Sequence, residues 1–390
     1  MRFSRPVHFS LPTTEVGRCL QQVRIHPGIT RRQLQSELGL TQPTTARLIS
    51  RMDAAGLVRF GEPNGGANPA GRPSAGIYIH GAGRFAVGAH IGRRVTQVVL
   101  TDLSGATLAE ESVALDIAEA SPEDFLEAVA WRMARLAADA PAPVKHIGLA
   151  FSADVSDDGT ITSATYGWQA VPALELADEV FSRVAPAAHF APEWTLEIGT
   201  GVAAMAGYEL AHTDLATGHT LSSLYVYARE VLGYAWIIHG AVHRPRLGHQ
   251  SPLIRQLVEA SPLDAFARPR GIDPLSVSAL LGTAHERDLV NLVRRARTDP
   301  DLAALLDHRA DILRRIIAIA VQVVDPAAVV LAGETFTADP ARTRRIAAGI
   351  GKTSGERCAL KTYSAQVDII AQAATMTAVH AAWHSPLDDA

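Results

Sequence analysis

The residues best placed to do chemistry lie close together near one end of the chain. Gln42, Thr44, Thr45, Arg47, Ser50 and Arg51 fall within ten residues of one another. These are hydrogen-bonding side chains of the length needed to reach base edges and phosphates. Thr41, just before them, has the side chain of a helix N-cap. Arg59 follows on a short apolar run, and Arg72 sits between Gly71 and Pro73. An arginine held on a thin, extended Gly-Arg-Pro segment can enter a narrow minor groove. The chemistry implied is recognition of double-stranded DNA, not bond making.

Such side chains work only if an element presents them together. Residues 15–26 place Val16, Cys19, Leu20 and Val23 at helical spacing, and Pro27-Gly28 stops that helix. Thr30 and Gln33 have the spacing of a capping box, Leu34 and Leu38 give the next helix its apolar stripe, and Gly39 ends it. Thr41 caps a third helix, with Pro43 in its first turn, where a missing N–H costs nothing. That helix runs to about Ala55 and buries Ala46, Leu48, Ile49 and Met52. Two short helices joined at a glycine fit a helix-turn-helix. A strand from Leu57, a Gly- and Pro-rich tip over 61–73 and a strand over 75–79 add a wing. Residues 1–80 are therefore expected to form a winged helix-turn-helix domain.

Charge supports this division. Residues 1–80 hold ten arginines, no lysine and four acids, a net +6, whereas the remainder carries −10 and the whole chain −4. A basic head on an acidic body directs only the head towards a polyanion. With 390 residues, 47% hydrophobic and 19% charged, the chain can bury large cores and is not disordered. No apolar run approaches the ~18–20 residues of a bilayer span. The first residues carry no apolar signal core, so the expected location is cytoplasmic, with no membrane partner. Two cysteines, Cys19 and Cys358, exclude a disulfide framework and any metal site needing three thiolates. His239 and His243 flank Gly240 in a turn and are not read as ligands. No cofactor, metal site or catalytic residue is expected.

The body begins near Gly81 and reads as α/β. Strands over 85–91, 95–100 and 106–114, a helix over 122–138 and a strand over 146–151 give a β-β-β-α-β order. A second copy starts with strands over 221–228 and 231–239. Helices follow near 276–283, 286–298, 300–307 and 309–324, then a strand over 328–332. This is the pattern of a two-lobed actin-like, ribonuclease-H-like ATPase fold. The expected lobes are 81–200 and 201–390, with a final helix at about 371–384 packing back on the first lobe.

Four segments in this order resemble one family, the ROK proteins (repressors, open reading frames, kinases), and within it the branch of the xylose, glucose and N-acetylglucosamine repressors. LTQPTTARLISRMDAAGLV followed by GRP is similar to that branch's DNA-binding head. AVGAHIGRRVTQVVLTDLSG is similar to the first phosphate strand-turn, IGLAFSADVSDDGTI to the second loop, and AVQVVDPAAVVLAGE to the helix-strand that approaches adenosine in the kinases.

The departures from the family matter as much as the matches. Kinases of the family carry D-x-G-x-T where this chain has His90-Ile91-Gly92-Arg93-Arg94, and G-T-G-x-G where it has Arg229-Glu230-Val231-Leu232-Gly233. The family's Asn-Asp pair, which supplies the carboxylate base, falls at Ile198-Gly199. Its zinc motifs reduce here to Arg246-Leu247-Gly248-His249 with no cysteine nearby. The resemblance leaves Tyr166, Trp168, Glu197, Arg229, Arg246 and His249 as candidate ligand contacts, and two arginines favour an anionic metabolite over a neutral sugar. The resulting expectation is a DNA-binding transcriptional regulator of repressor type, acting on a double-stranded operator as a homodimer or higher oligomer, with a possible small-molecule effector. The alternatives are a sugar kinase with an added DNA-binding domain, and a regulator that answers only to a protein partner.

Overall fold

The computed structural model describes residues 3–64, 75–213, 222–229, 232–243, 252–259, 261–270, 274–277, 280, 289–354, 358–363 and 368–387 of the 390. Contacts divide the chain into two compact units, Met1–His219 with Ile370–Ala390, and Thr220–Ile369. The division falls past the helix Gly201–Ala211, which packs on the first unit's sheet.

The head opens the first unit. Its helices are α1 (Glu15–Ile25), α2 (Arg31–Leu38) and α3 (Gln42–Ala54). A small sheet joins β2 (Ile29–Thr30), β3 (Val58–Gly61) and β4 (Gly76–Ile79), with β4 in the centre. The fully buried side chains Cys19, Leu20, Val23, Leu34, Leu48, Ile49, Met52, Leu57 and Ile77 hold the three helices on it.

Before the head comes β1 (Phe3–Pro6), which lies not in the head but in the body. It pairs in parallel with β11 (Phe190–Thr200), Phe3 opposite Thr195 and Pro6 opposite Ile198. The body's sheet has the order β1-β11-β8-β5-β6-β7, with β5 Phe85–Ile91, β6 Thr96–Asp102, β7 Thr107–Val113 and β8 Val144–Phe151, while β9 (Ile161–Ser163) and β10 (Trp168–Val171) pair antiparallel outside it. β5, β6 and β7 form the antiparallel meander expected from sequence, and β5, β8, β11 and β1 run parallel. The central strands are buried at every position but the half-buried Lys145, as their apolar runs require. α4 (Pro122–Ala137) and α5 (Ala173–Val184) cover one face with Phe125, Val129, Met133, Val180 and Phe181.

The other face receives α6 (Gly201–Ala211) and the terminal helix Ile369–His384. The terminal helix is rich in alanine and approaches the sheet backbone to backbone. A Cβ at Gly148 would lie 2.7 Å from Ala378 Cα, and one at Gly88 would lie 2.7 Å from the Ala374 carbonyl carbon. Gly88 and Gly148 are cross-strand partners, so together they form the floor on which the helix rests.

The second unit repeats the plan: strand order β14-β13-β12-β15-β16, antiparallel on one side and parallel on the other. These are β12 Ser222–Ala228, β13 Leu232–Ile238, β14 Ala241–His243, β15 Ala328–Ala332 and β16 Ala359–Thr362. One uninterrupted helix spans Pro300–Val324, where two were expected. Leu302, Leu306, Ala310, Leu313, Ile317 and Val321 are all buried, so one stripe continues past the expected break at residue 308. Most of the helix expected over 276–283 lies outside the described residues.

Candidate nucleic-acid interface and body site

The head's helix-turn-helix is set by two threonine caps and a glycine. Thr30 N–H donates to Gln33 Oε1 at 2.8 Å, and Gln33 N–H donates back to Thr30 Oγ1 at 3.3 Å, completing the capping box. Gly39, at φ 64, takes the left-handed conformation, so Gly39 N–H and Leu40 N–H reach the carbonyls of Ser36 and Gln35. Thr41 then restarts the chain as a helix, accepting from Thr44 N–H.

On α3 the burial pattern separates two faces. Leu48, Ile49 and Met52 point inward, and Gln42, Arg47, Ser50 and Arg51 are exposed. Thr41 is exposed, and its hydroxyl pairs with the half-buried Thr44 hydroxyl at 2.9 Å. Thr45 is a correction to the expected set. It is wholly buried and donates to the Thr41 carbonyl at 2.9 Å, so it packs the head's core and cannot reach a groove. Its hydroxyl suggested a base contact, but that hydroxyl is taken up by the Thr41 carbonyl one turn back.

On the wing, Arg59 lies over the Tyr78 ring at 4.8 Å and remains exposed. The Gly71-Arg72-Pro73 tip lies outside the described residues. Sequence reasoning passed over Arg31 and Arg32, both exposed in the first turn of α2. The Thr30 cap carried the signal, because it places the next two residues at the end of the helix that crosses the DNA backbone in this motif. Arg47 is 3.7 Å from Glu15 across two exposed side chains, a contact of little energetic weight.

The body's candidate ligand residues are committed elsewhere. Tyr166 is buried, and its hydroxyl donates to the Ile91 carbonyl at 2.6 Å. Burial raises its pKa far above the ordinary tyrosine range. Trp168 is buried against Tyr166, Phe125 and Phe151. Both rings are core residues of the first unit, which corrects their expected role. Glu197 is also buried. His380 Nδ1–H donates to its Oε2 at 2.9 Å, and Arg5 approaches Oε1 at 2.7 Å. Burial alone would raise this carboxyl, but the charges and hydrogen bonds of His380 and Arg5 together hold it down at about 2. It is an internal counter-ion, a second correction. Arg229 is exposed but paired with Glu334 at 3.0 Å. Arg246 and His249 lie outside the described residues.

Other positions singled out by sequence are placed as follows. His90 is buried, 3.3 Å from Ser152 Oγ, and a Cβ at Gly201 would meet its ring at 2.8 Å. Gly199 is covered by Val7 and Phe9, and a Cβ there would overlap the Val7 side chain. In the second unit the buried Arg309 donates to the Leu275 carbonyl at 2.8 Å, Thr335 Oγ1 at 2.9 Å and the Arg229 carbonyl at 3.4 Å. His239, at φ 50, and Gly240, at φ 75, form the turn between β13 and β14. Among the described residues no three His, Cys, Asp or Glu side chains group as a metal site. No described helix is long and apolar enough to cross a membrane.

Residues 18–59 match the winged helix-turn-helix DNA-binding family. Over almost its whole length the chain is similar in structure to a ROK family transcriptional regulator, a homologue of the Escherichia coli MLC protein. The TM-score is 0.67 at 16% identity, covering 94% of this chain and 96% of that one. The chain joins a winged helix-turn-helix head to a body with the fold of the ROK proteins. Two kinases share the ROK-type part alone. The ROK hexokinase of Thermus thermophilus matches at TM-score 0.54 and 20% identity, over 78% of this chain and all of its own. The glucokinase of Balamuthia mandrillaris matches at 0.55 and 16%, over 76% and 93%. In sequence the chain is 27% identical over 374 residues to transcriptional regulator Rv0485 of Mycobacterium tuberculosis, covering 89% of this chain and 80% of the relative. Transcriptional regulator Mb0495 of Mycobacterium bovis matches equally.

Proposed function

We propose that this DNA-binding transcriptional regulator is a repressor that reads a two-fold symmetric operator as a homodimer, and that its ROK-type body transfers no phosphate. The observation that carries the first part is the exposed face of α3, where Gln42, Arg47, Ser50 and Arg51 stand clear of a head fixed by two capped helices. Gln42 and Arg47 read major-groove edges. Arg51, Arg59, Arg31 and Arg32 contact phosphates, and Arg72 enters the minor groove. Two-fold symmetry in the protein calls for paired half-sites.

Selection of bound duplexes from a random library tests this. A palindromic site should emerge. Arg47→Ala should relax preference at one position by about 1–3 kcal/mol, while Arg51→Ala weakens binding to all sequences alike and lowers the salt slope by about one. No enriched site, or equal losses in the two variants on selected and random DNA, overturns the reading.

Three residues support the second part. His90 stands where the kinases carry an acid for magnesium and phosphate, and Gly199 replaces the carboxylate base beneath Val7 and Phe9. Arg309 ties the Arg229 carbonyl into the second unit, where the kinases keep a glycine loop open to phosphate. Charge placement is the main requirement of phosphoryl transfer. ADP release with ATP and a panel of hexoses should stay at background, and turnover would reverse the assignment.

With Tyr166 and Trp168 in the core and Glu197 neutralised internally, these residues capture no effector. Arg229 has its charge met by Glu334, which weakens the case for an anionic metabolite. The body is proposed to serve dimer contact and to answer to a partner or to an effector held by other residues.

A further inference from the structure

The head rests on the body along one seam, and this seam collects an unusual set of side chains. From α1, Gln21 Nε2–H donates to the carbonyls of Ala211 at 3.5 Å and Thr213 at 3.1 Å, at the end of α6. Arg24 donates to the Ala211 carbonyl, lies 3.3 Å from His212 Nε2 and covers the Trp383 ring at 3.8 Å. Trp383 is itself fixed by donation to the Leu103 carbonyl at 2.8 Å. At Gly17 of α1 a Cβ would lie 2.9 Å from the His384 carbonyl oxygen, so the terminal helix touches the head's backbone directly.

Inside this seam two imidazoles stack. The rings of His380 and His384 are 5.3 Å apart and inclined by 21°. Phe9 closes the other side of His380, edge-on at 5.3 Å. A cavity of about 20 Å³, room for one water molecule, is lined by Gln21, Arg24, Met376, His380, Trp383 and His384, among others. Within its lining, three buried polar atoms have no hydrogen-bond partner among the described residues: Gln21 Oε1, His380 Nε2 and His384 Nδ1. All three residues line the cavity.

The charges around the stack are unequal. Arg5 approaches from β1, Arg24 from α1, Glu197 from β11, and Tyr208 and His212 from α6 and its end. Arg24 stays charged at neutral pH even though burial lowers its pKa to about 10. One carboxylate therefore faces two guanidiniums and three imidazoles, those of His212, His380 and His384. His380 already uses Glu197 through Nδ1. A proton on His384 has no carboxylate bonded to it, because Glu197, the acid that favours it, is already bonded to His380.

We propose that the His380–His384 stack is an acid-sensitive latch: protonation of His384 expels the terminal helix from the seam and frees the head from the body. Burial, the neighbouring His380 and Arg5 disfavour the charged form of His384 and together outweigh Glu197, which favours it. The sign follows. An imidazole whose docked pKa lies below its free value supports docking above the free value, about 6.5, and loses that support as pH falls from there to the docked value. Docking is firm at neutral pH and weakens in mild acid.

Hydrogen exchange of the full-length protein at pH 7.5 and 5.5, with labelling times matched for intrinsic rate, tests the latch. It reads the seam whether or not the head binds DNA, so its failure and that of the proposed function are separate. In the wild-type protein, amides of Glu15–Ile25 and the C-terminal half of Ile369–His384 should lose protection at acid pH, towards about tenfold per pH unit within the window. The β5 and β8 amides should not. His384→Gln and His384→Phe should each remove the pH dependence, the second keeping an aromatic ring against His380. Unchanged seam protection in the wild type overturns the proposal, as does the same acid loss in both variants.

Discussion

Gly148→Ala is the sharpest test of the body's architecture. The added methyl would stand 2.7 Å from Ala378 Cα and overlap the neighbouring backbone of the terminal helix. Carbon atoms rest at about 3.5–4.0 Å, so the helix must withdraw by about 1 Å. The obstructing atoms are backbone, which no rotamer change can move aside. Overpacking costs about 1–3 kcal/mol in general, and a backbone clash belongs at the upper end, near 3 kcal/mol. Gly88→Ala meets the same helix one turn earlier, at Ala374. One withdrawal relieves both clashes, so the double variant should cost less than the two singles together, by about 1–2 kcal/mol. Urea unfolding followed by tryptophan emission suits the measurement, because four of the five tryptophans (131, 168, 194 and 383) lie in the first unit. A Gly148→Ala change below about 0.5 kcal/mol, or strict additivity in the double variant, would refute the close helix–sheet approach. The same variant should also loosen the head, since Trp383 and His384 belong to the displaced helix.

Thr41→Ala removes the cap of α3 and should lower head stability by about 1 kcal/mol, read as a lower midpoint in thermal unfolding followed by circular dichroism. Arg309→Met strands three acceptors, the carbonyls of Leu275 and Arg229 and the Thr335 hydroxyl, and should destabilise the second unit by about 3 kcal/mol in urea. Cys19, buried in α1 with its pKa pushed up to about 12, should resist a thiol reagent at pH 8 until the head unfolds, as a time course of labelling with and without urea would show. Glu197 is held at about 2, below the ordinary carboxylate value, so its contribution is present above about pH 4.3 and disappears as pH falls towards 2. Glu197→Gln should therefore destabilise the protein at pH 7 and have little effect near pH 2, which urea titrations at the two pH values would separate.

The head was legible because its signals are local. Thr30, Gln33, Gly39, Thr41 and Pro43 act within one or two turns, and each cap and stop occurs where it was expected. The meander and the strands expected over 146–151 and 328–332 were legible as apolar runs. What escaped the sequence reading is set by distant partners. Phe3–Pro6 is too short and too polar to announce a strand, and becomes one only because β11 offers it an edge. Tyr166 and Trp168 looked like ligand contacts because aromatic type alone does not distinguish a pocket wall from a core. Their burial against Phe125 and Phe151 is tertiary information. Glu197 likewise shows its role only when Arg5 and His380 arrive from far along the chain on either side. Thr45 was misplaced by a single helical position, since at α3's pitch it turns towards Leu48 and Ile49.

The position of β1 has a consequence in time. Its partner segment Thr195–Ile198 lies almost two hundred residues later in the chain. At about 5–20 residues per second, a ribosome needs roughly ten to forty seconds to cover that distance. The head, whose contacts are short-range, can complete itself within that interval. β1 cannot, and β11 must first settle on β8. The strand made first is thus among the last to be placed, and until it arrives β11 presents an open edge of the kind that recruits other chains. Synthesis speed and chaperone cover over this interval, as much as final stability, should govern how much of the protein reaches its native state.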